Sequence, residues 1–371
     1  MKKILFVFGT RPEAIKMAPI VHEAKKHDDK LETKICLTGQ HKEMLQQVMD
    51  FFQLKEDYNL HLMKPNQTLF DITADGLRSL EEVLNNFHPD LVIVQGDTTT
   101  AFTSALAAFY KKIKIAHIEA GLRSFDKYSP FPEEINRKIV STVTDFHFAP
   151  TKKAKQNLED ENIHTNIFVV GNTVIDALLW GVEKVRNDES YTHCFNYLDL
   201  NKKLVLITGH RRESFGEPFE NICDAIATLA ITYRDVQFVY PVHLNPNVQK
   251  IVNQKLSGHE NIFLIKPLSY PHLIWLMDRS YFVITDSGGI QEEAPTLGKP
   301  VLVMRDVTER QEGITAGTAL LVGTSKERIV EESTKLMEDR DAYEQMSKAV
   351  NPYGTGHSAK QIVEVILKHL R

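Results

Sequence analysis

Short apolar runs recur along this chain at roughly even spacing, each followed by a stretch of helical periodicity, and that alternation constrains its fold more than any other feature. In the first half the runs fall at residues 4–8, 33–37, 91–94, 113–117, 146–148 and 167–170. In the second they fall at 204–207, 237–240, 262–265, 282–284, 301–303 and 319–321. Strands covered on both faces read as nearly continuous apolar runs, and strand–helix alternation builds parallel sheets with helices on each side. Six runs, an interruption from about Asp176 to Lys203, then six more predict an α/β protein of two Rossmann-like, doubly wound domains. A length of 371 residues agrees, since it exceeds what one hydrophobic core normally organises. In open α/β sheets ligands sit at the carboxyl ends of strands, so chemistry is expected just past each run.

The charge balance narrows the partners. A net charge of −5 argues against nucleic acid or an anionic membrane surface, so an anionic ligand would need a local cluster of donors. Cys36, Cys194 and Cys223 are far apart and show neither C-x-x-C nor zinc spacing, which fits free thiols in a reducing compartment. Met1-Lys-Lys and the apolar residues 4–8 look briefly like a signal peptide, but Gly9, Arg11 and Glu13 end the run too soon. No run approaches membrane-spanning length, and a cytoplasmic protein is expected.

The strand ends hold the candidates. The run at 282–284 passes through Asp286-Ser-Gly-Gly289 into a helix with Glu292 and Glu293, and Gly298 and Pro300 lead into the next strand. Strand, small-residue turn and helix start make a ready anion site, because the first helical N–H groups lack internal partners. Glu293 shares a helix face with Gly289, where its carboxylate could take ribose hydroxyls. The plainer alternative is a tight turn in which Ser287 only caps the helix. The first strand ends in Gly9-Thr-Arg-Pro-Glu-Ala-Ile-Lys16, where Thr10 and Glu13 have capping-box spacing and Arg11 and Lys16 are donors near a helix start. Pro19 predicts a kink or restart in that helix. In Gln95-Gly-Asp97-Thr-Thr-Thr100, Asp97 reads either as a reactive carboxylate or as a helix N-cap. Glu119, in His117-Ile-Glu-Ala-Gly-Leu-Arg123, is hard to explain as a cap; the plainer alternative is a partner for Arg123. A proline-stiffened loop delivers Glu133 and Glu134 at a helix start, and Glu133 and Arg137 have the spacing of an ordinary helix ion pair. In the second half, His210 stands between a strand end and two arginines, as at an anion site; His243, after another strand, reads as structural or secondary. Arg305 and Arg310 are further phosphate donors.

Taken together, Gly9-Thr-Arg-Pro-Glu-Ala-Ile-Lys16, Gly96-Asp-Thr-Thr99, His117-Ile-Glu-Ala-Gly-Leu-Arg123, Pro132-Glu-Glu134, Gly209-His-Arg-Arg-Glu-Ser214, Pro241-Val-His-Leu-Asn-Pro246 and Asp286-Ser-Gly-Gly-Ile-Gln-Glu-Glu-Ala-Pro295 resemble the non-hydrolysing UDP-N-acetylglucosamine 2-epimerases. The likeness runs in order through almost the whole chain. It implies the GT-B architecture with the active site in the interdomain cleft, a first domain at 1–172, a second at 173–357, and a final helix at 358–371 returning to the first. It implies interconversion of UDP-N-acetylglucosamine and UDP-N-acetylmannosamine in a homodimer. The C2 proton of a hexosamine has no neighbouring carbonyl, so epimerisation needs transient oxidation or elimination across C1–C2. No G-x-G-x-x-G follows a strand and no H-E-x-x-H is present, so neither a tightly held NAD nor a metal is expected. Elimination of UDP to a 2-acetamidoglucal and re-addition is what the resemblance implies.

By the same matching, Asp97, Glu119 and Glu133 are the catalytic acids, His210 contacts the substrate, and Arg11, Lys16, Ser287, Gly288, Gly289, Glu293 and Arg310 hold the UDP-sugar. Three carboxylates near an anion are expected to raise one another's pKa. Gln40, His41 and His243 match an activating second site, but Glu43 and Asn66 depart from that pattern and predict altered activation. Leu273 stands where relatives often carry an aromatic beside the base. The rival readings are a GT-B glycosyltransferase, an epimerase of a UDP-diacetamido sugar, a hydrolysing epimerase and a catalytically dead sensor; the acidic trio exceeds what transfer or sensing requires.

Overall fold

In a computed structural model the described residues are 1–39, 42–64, 66–211 and 214–370, the side chains of Lys42 and Glu43 excepted. The chain divides into two compact units, Met1–Trp180 with Tyr353–Arg371, and Gly181–Pro352.

The first unit is built on a sheet of β1 (Lys2–Phe8), β2 (Leu31–Leu37), β3 (Tyr58–Asn59), β4 (Leu91–Gln95), β5 (Lys114–Ile118), β6 (Phe146–Ala149) and β7 (Ile167–Val169). The order across it is β3-β2-β1-β4-β5-β6-β7, and every pairing is parallel. Six of these strands stand where the apolar runs predict them. The seventh, β3, is two residues at the edge, paired through Cys36↔Tyr58 and Leu37↔Asn59, and too short to leave a hydrophobic pattern. Residues 4–8 have no exposed surface. Burying each of the large side chains among them stabilises the fold by about 1.5–3 kcal/mol. One face of the sheet is covered by the helices Leu69–Phe87 and Thr99–Tyr110, whose Leu80, Val83, Leu84, Ala101 and Ala105 pack on Leu5, Val7 and Val92.

The helix Arg11–Lys25 starts with the expected capping box: Thr10 takes the Glu13 N–H, and Glu13 Oε2 accepts from Gly9 N at 2.9 Å and Thr10 N at 2.7 Å. The expected break at Pro19 does not occur; one helix runs through it. Its buried face, with Ile15, Met17, Ala18, Ile20 and Val21, offsets the roughly 3 kcal/mol that an interior proline costs. The final helix, Ser358–His369, belongs to this unit. His357 offers it no side-chain cap; Asp176 does instead, accepting from Ser358 N at 3.3 Å and Ala359 N at 2.9 Å. Gly171 permits the approach: its φ is +86°, and a Cβ there would lie 2.8 Å from Ser358 Oγ.

The second unit has β8 (Leu204–Thr208), β9 (Gln237–Pro241), β10 (Ile262–Ile265), β11 (Phe282–Thr285), β12 (Val301–Val303) and β13 (Ala319–Leu321), ordered β10-β9-β8-β11-β12-β13, again all parallel. All six fall on predicted runs. Helices Glu217–Thr232 and Lys326–Glu338 bury Phe219, Ile226, Leu229, Ile329 and Leu336 against Val205, Phe238, Phe282 and Leu302. In each unit the chain reverses its direction of travel across the sheet beside its first strand, at β1/β4 and at β8/β11. Such switch points open a crevice at the carboxyl ends of the strands.

Candidate active site

In the first unit the switch point gathers the predicted acids. Glu119 directly follows β5 and has φ +66°, a left-handed conformation that costs a non-glycine residue about 1–3 kcal/mol and tends to persist at functional sites. Its carboxylate turns back over the end of β4. Lys16 Nζ lies 2.6 and 2.7 Å from its two oxygens, Gln95 Nε2 donates to Oε2, and Asn172 Nδ2 donates to Oε1 at 3.3 Å. Arg123 is not its partner. That guanidinium is wholly buried on Glu161, at 2.7 and 2.9 Å, so Glu119 does not serve to pair Arg123.

Asp97 is not a helix cap either. Thr98 caps the helix Thr99–Tyr110 by accepting from Ala101 N, while Asp97 meets Arg137, with Nε at 2.8 Å and Nη2 at 2.6 Å from Oδ2. Arg137 also reaches Glu134 Oε2 at 3.0 Å. Burial alone would lower the pKa of this guanidinium, yet Asp97 and Glu134 hold it above its ordinary value. The helix spacing of Glu133 with Arg137 is therefore not used, and Glu133 Oε2 is buried with no hydrogen-bond partner among the described residues. Asp97 and Glu119 each meet a cation, which the expectation of mutually perturbed acids did not include.

Beneath them, Glu13 is buried at the switch point itself. It accepts from Thr98 Oγ1 at 2.6 Å as well as from Gly9 and Thr10, and burial pushes its pKa up against those bonds. His117 Nε2 donates to Gly96 O at 2.7 Å. Burial drives its pKa down to about 4, and that of His147, its cross-strand partner, to about 4 as well. Arg11, half-buried, opens the helix that carries Lys16.

In the second unit the turn after β11 places Asp286, Ser287, Gly288 and Gly289 together. Ser287 makes no capping bond, so the plainer reading of it as a cap fails, and the exposed Gly289 stands in the first helical turn. Gly288 and Gly289 have ordinary backbone angles and matter for space: a Cβ on Gly288 would lie 3.3 Å from Arg310 Cζ. Arg310 is set by Glu292, with Nε to Oε1 at 2.9 Å. Glu293 is buried, takes the Tyr270 hydroxyl on Oε1 at 3.0 Å, and has Oε2 3.8 Å from where a Gly289 Cβ would stand. Sequence reasoning missed Tyr270, Gln95 and Asn172; none sits at a spacing that would reveal it.

Across the switch point, Asp286 Oδ2 accepts from His210 N at 2.7 Å and Arg211 N at 2.8 Å, fixing the turn that carries His210. Asp286 Oδ1, buried and with no hydrogen-bond partner among the described residues, lies 3.9 Å from His210 Nδ1. The His210 ring stacks on His243, centroids 4.7 Å apart and planes within 7°. Burial, and then the neighbouring His210, lower the His243 pKa. His243 is thus joined to His210 rather than isolated. Arg305 is held by Glu309 at 2.8 Å. Although burial would raise it, Glu309 is brought down to about 2 by Arg305. Arg305 lines a different cavity of about 550 Å³ with Asn221, Thr324, Ser325 and Arg328. Gln40 and His41 lie outside the described residues, as does the Glu43 side chain; Asn66 is exposed, with φ +59°. Among the described residues no group of three His, Cys, Asp or Glu side chains could hold a metal ion, and no helix is long and apolar enough to cross a membrane.

Two parallel, doubly wound sheets with polar residues collected at their switch points place this protein in the GT-B class of α/β folds. A family model described as UDP-N-acetylglucosamine 2-epimerase matches residues 23–367. The UDP-N-acetylglucosamine 2-epimerases of Campylobacter jejuni and Escherichia coli K12 are each 52% identical, over 99% and 98% of this chain and 98% of their own lengths. The crystal structure of UDP-GlcNAc 2-epimerase from Neisseria meningitidis bound to UDP-GlcNAc is 50% identical, covers 99% of this chain and 100% of that one, and superposes with a TM-score of 0.90. The chain belongs to the UDP-N-acetylglucosamine 2-epimerase family.

Proposed function

We propose that this protein interconverts UDP-N-acetylglucosamine and UDP-N-acetylmannosamine at C2, by eliminating UDP to a 2-acetamidoglucal and adding it back on the other face. The observation that carries the reading is the strained, cation-paired Glu119 standing beside Asp97 at the first unit's switch point. Family membership over the whole chain supports the same substrate, since the Neisseria relative is described as bound to UDP-GlcNAc. The first unit, Met1–Trp180 with Tyr353–Arg371, supplies the acids Asp97, Glu119 and Glu133, and the second, Gly181–Pro352, binds the nucleotide. Ser287, Gly288, Gly289 and Arg310 take the pyrophosphate and Glu293 the ribose. His210 stabilises the negative charge that develops as UDP leaves, a contribution of order 3 kcal/mol for a preorganised donor, and Arg11 and Lys16 help to hold the UDP-sugar. No cofactor takes part.

The enzyme acts in the cytoplasm, in keeping with its three unpaired cysteines, and feeds activated N-acetylmannosamine to surface polysaccharide synthesis. It works as a homodimer: Phe70, Phe109 and Tyr110, on the neighbouring helices Leu69–Phe87 and Thr99–Tyr110, are 87%, 54% and 66% exposed. Contiguous exposed apolar surface, such as Phe109 and Tyr110 form with ring centroids 6.4 Å apart, marks contact sites. The test is incubation with UDP-N-acetylglucosamine in deuterated water, without acceptor or cofactor. Deuterium at C2 of both epimers, with UDP retained as nucleotide sugar, is expected. Absence of exchange refutes the reading, and stoichiometric release of UDP with free N-acetylmannosamine selects the hydrolysing reaction instead.

A further inference from the structure

The helix Glu133–Val143 holds the turn after β4 at two points. Asn136 Nδ2 donates to the Asp97 carbonyl at 2.9 Å, and Arg137 brings Nε and Nη2 to within 2.8 and 2.6 Å of Asp97 Oδ2. A third bond anchors the guanidinium from behind, Nη1 to Glu134 Oε2 at 3.0 Å. Glu134 is completely buried and also accepts from Ser124 N at 2.9 Å and Phe125 N at 3.2 Å, so the same carboxylate ties down the loop that leads into the helix.

This arrangement leaves carboxylate oxygen uncommitted on both Asp97 and Glu133. Both Arg137 contacts fall on Asp97 Oδ2, and among the described residues Asp97 Oδ1 makes no hydrogen bond. Glu133, one residue before Glu134, keeps Oε2 buried and without a hydrogen-bond partner among the described residues. A purely stabilising ion pair would have been met by the local spacing of Glu133 with Arg137. The chain instead sends Arg137 to a carboxylate 40 positions away and pins it with Glu134.

We infer that Arg137, held by Glu134, is a positioning residue that fixes Asp97 against the helix start carrying Glu133, so that Asp97 Oδ1 and the Glu133 carboxylate are held in one geometry for the reacting sugar. The inference rests on the epimerase reading and adds to it a residue that touches neither substrate nor nucleotide. Asp97 comes from a strand end and Glu133 from a helix start, and proton transfer from two separate elements tolerates little relative drift. A planar guanidinium with donors on two edges suits the task; a lysine ammonium keeps the charge but not the fork.

The experiment compares wild type, Arg137→Gln and Arg137→Lys by C2 exchange and epimerisation kinetics, with thermal midpoints measured alongside. A positioning role predicts that kcat falls ~100-fold in Arg137→Gln and ~10-fold in Arg137→Lys while KM stays within about threefold. A merely structural residue would lower the thermal midpoint and leave kcat per folded molecule unchanged. Should Arg137→Gln not fold, Arg137→Lys carries the test by itself, and wild-type kcat in that variant overturns the inference. Absence of C2 exchange in the wild-type chain overturns the epimerase reading; normal exchange there, with kcat unchanged in the folded variants, overturns the positioning role alone.

Discussion

Acid should destabilise the first unit through two histidines that no solvent reaches. His117 and His147 are 1% and 2% exposed, are cross-strand partners on β5 and β6, and both have an unpaired Nδ1. Burial lowers each pKa from 6.5 to about 4. The folded unit therefore binds fewer protons than the unfolded chain between pH 6.5 and about 4, and its stability must fall as pH falls through that window. The contribution is fully present above pH 6.5 and lost below about 4. At pH 5 each ring costs about 2 kcal/mol relative to neutral pH, or roughly 4 kcal/mol for the pair. At about 2–4 °C per kcal/mol for a unit of this size, the pair accounts for a fall of roughly 8–16 °C in Tm. The assay is scanning calorimetry at pH 7.5 and 5.0 on wild type, His117→Gln, His147→Gln and the double variant. Because each protein is compared with itself, any fixed packing cost of the substitution cancels. Each single change should remove about half of this acid loss and the double change nearly all of it. A double variant whose Tm falls as far as that of wild type between the two pH values refutes the argument.

Three further outcomes follow from the geometry. Glu119→Gln should lower Tm by several degrees, because the largely buried Lys16 keeps only a neutral acceptor, and should cut epimerisation per folded molecule by about 10²–10⁴-fold in steady-state assays, because the amide loses proton-transfer capacity. Tyr270→Phe removes the hydroxyl that orients Glu293, and calorimetric titration should show UDP bound ~10-fold more weakly with kcat little changed. Gly171→Ala forces a Cβ to 2.8 Å from Ser358 Oγ at a left-handed φ. The final helix should loosen at a cost of about 1–3 kcal/mol, read as a lower Tm and faster amide exchange in Ser358–His369.

The amount legible beforehand differed sharply by residue. Twelve of the thirteen strands were visible as apolar runs, because a strand covered on both faces must be apolar throughout; the two-residue β3 has no such obligation. The capping box at Thr10 and Glu13 was visible because both partners lie within four residues. Pro19 misled, because local cost was read without the packing that offsets it. Glu119 stood out at a strand end, yet its partners Lys16, Gln95 and Asn172 are 103, 24 and 53 positions away. Arg137 offered a convincing local partner in Glu133 and took Asp97 instead.

Local and periodic terms therefore belong to the chain as written: which stretches are strands, where helices begin, and which polar residues stand at strand ends. Those terms depend on neighbours a few residues apart, and they sufficed to predict two doubly wound domains with polar residues at the strand ends; the acids took their catalytic roles from the family resemblance. Pairing belongs to the folded molecule. Which cation meets which carboxylate, which oxygen is left without a donor, and which histidine loses its water depend on groups brought together by strand order, and a linear pattern carries no distance between them. Lys16 on Glu119, Arg137 on Asp97 and His210 on His243 are of that kind.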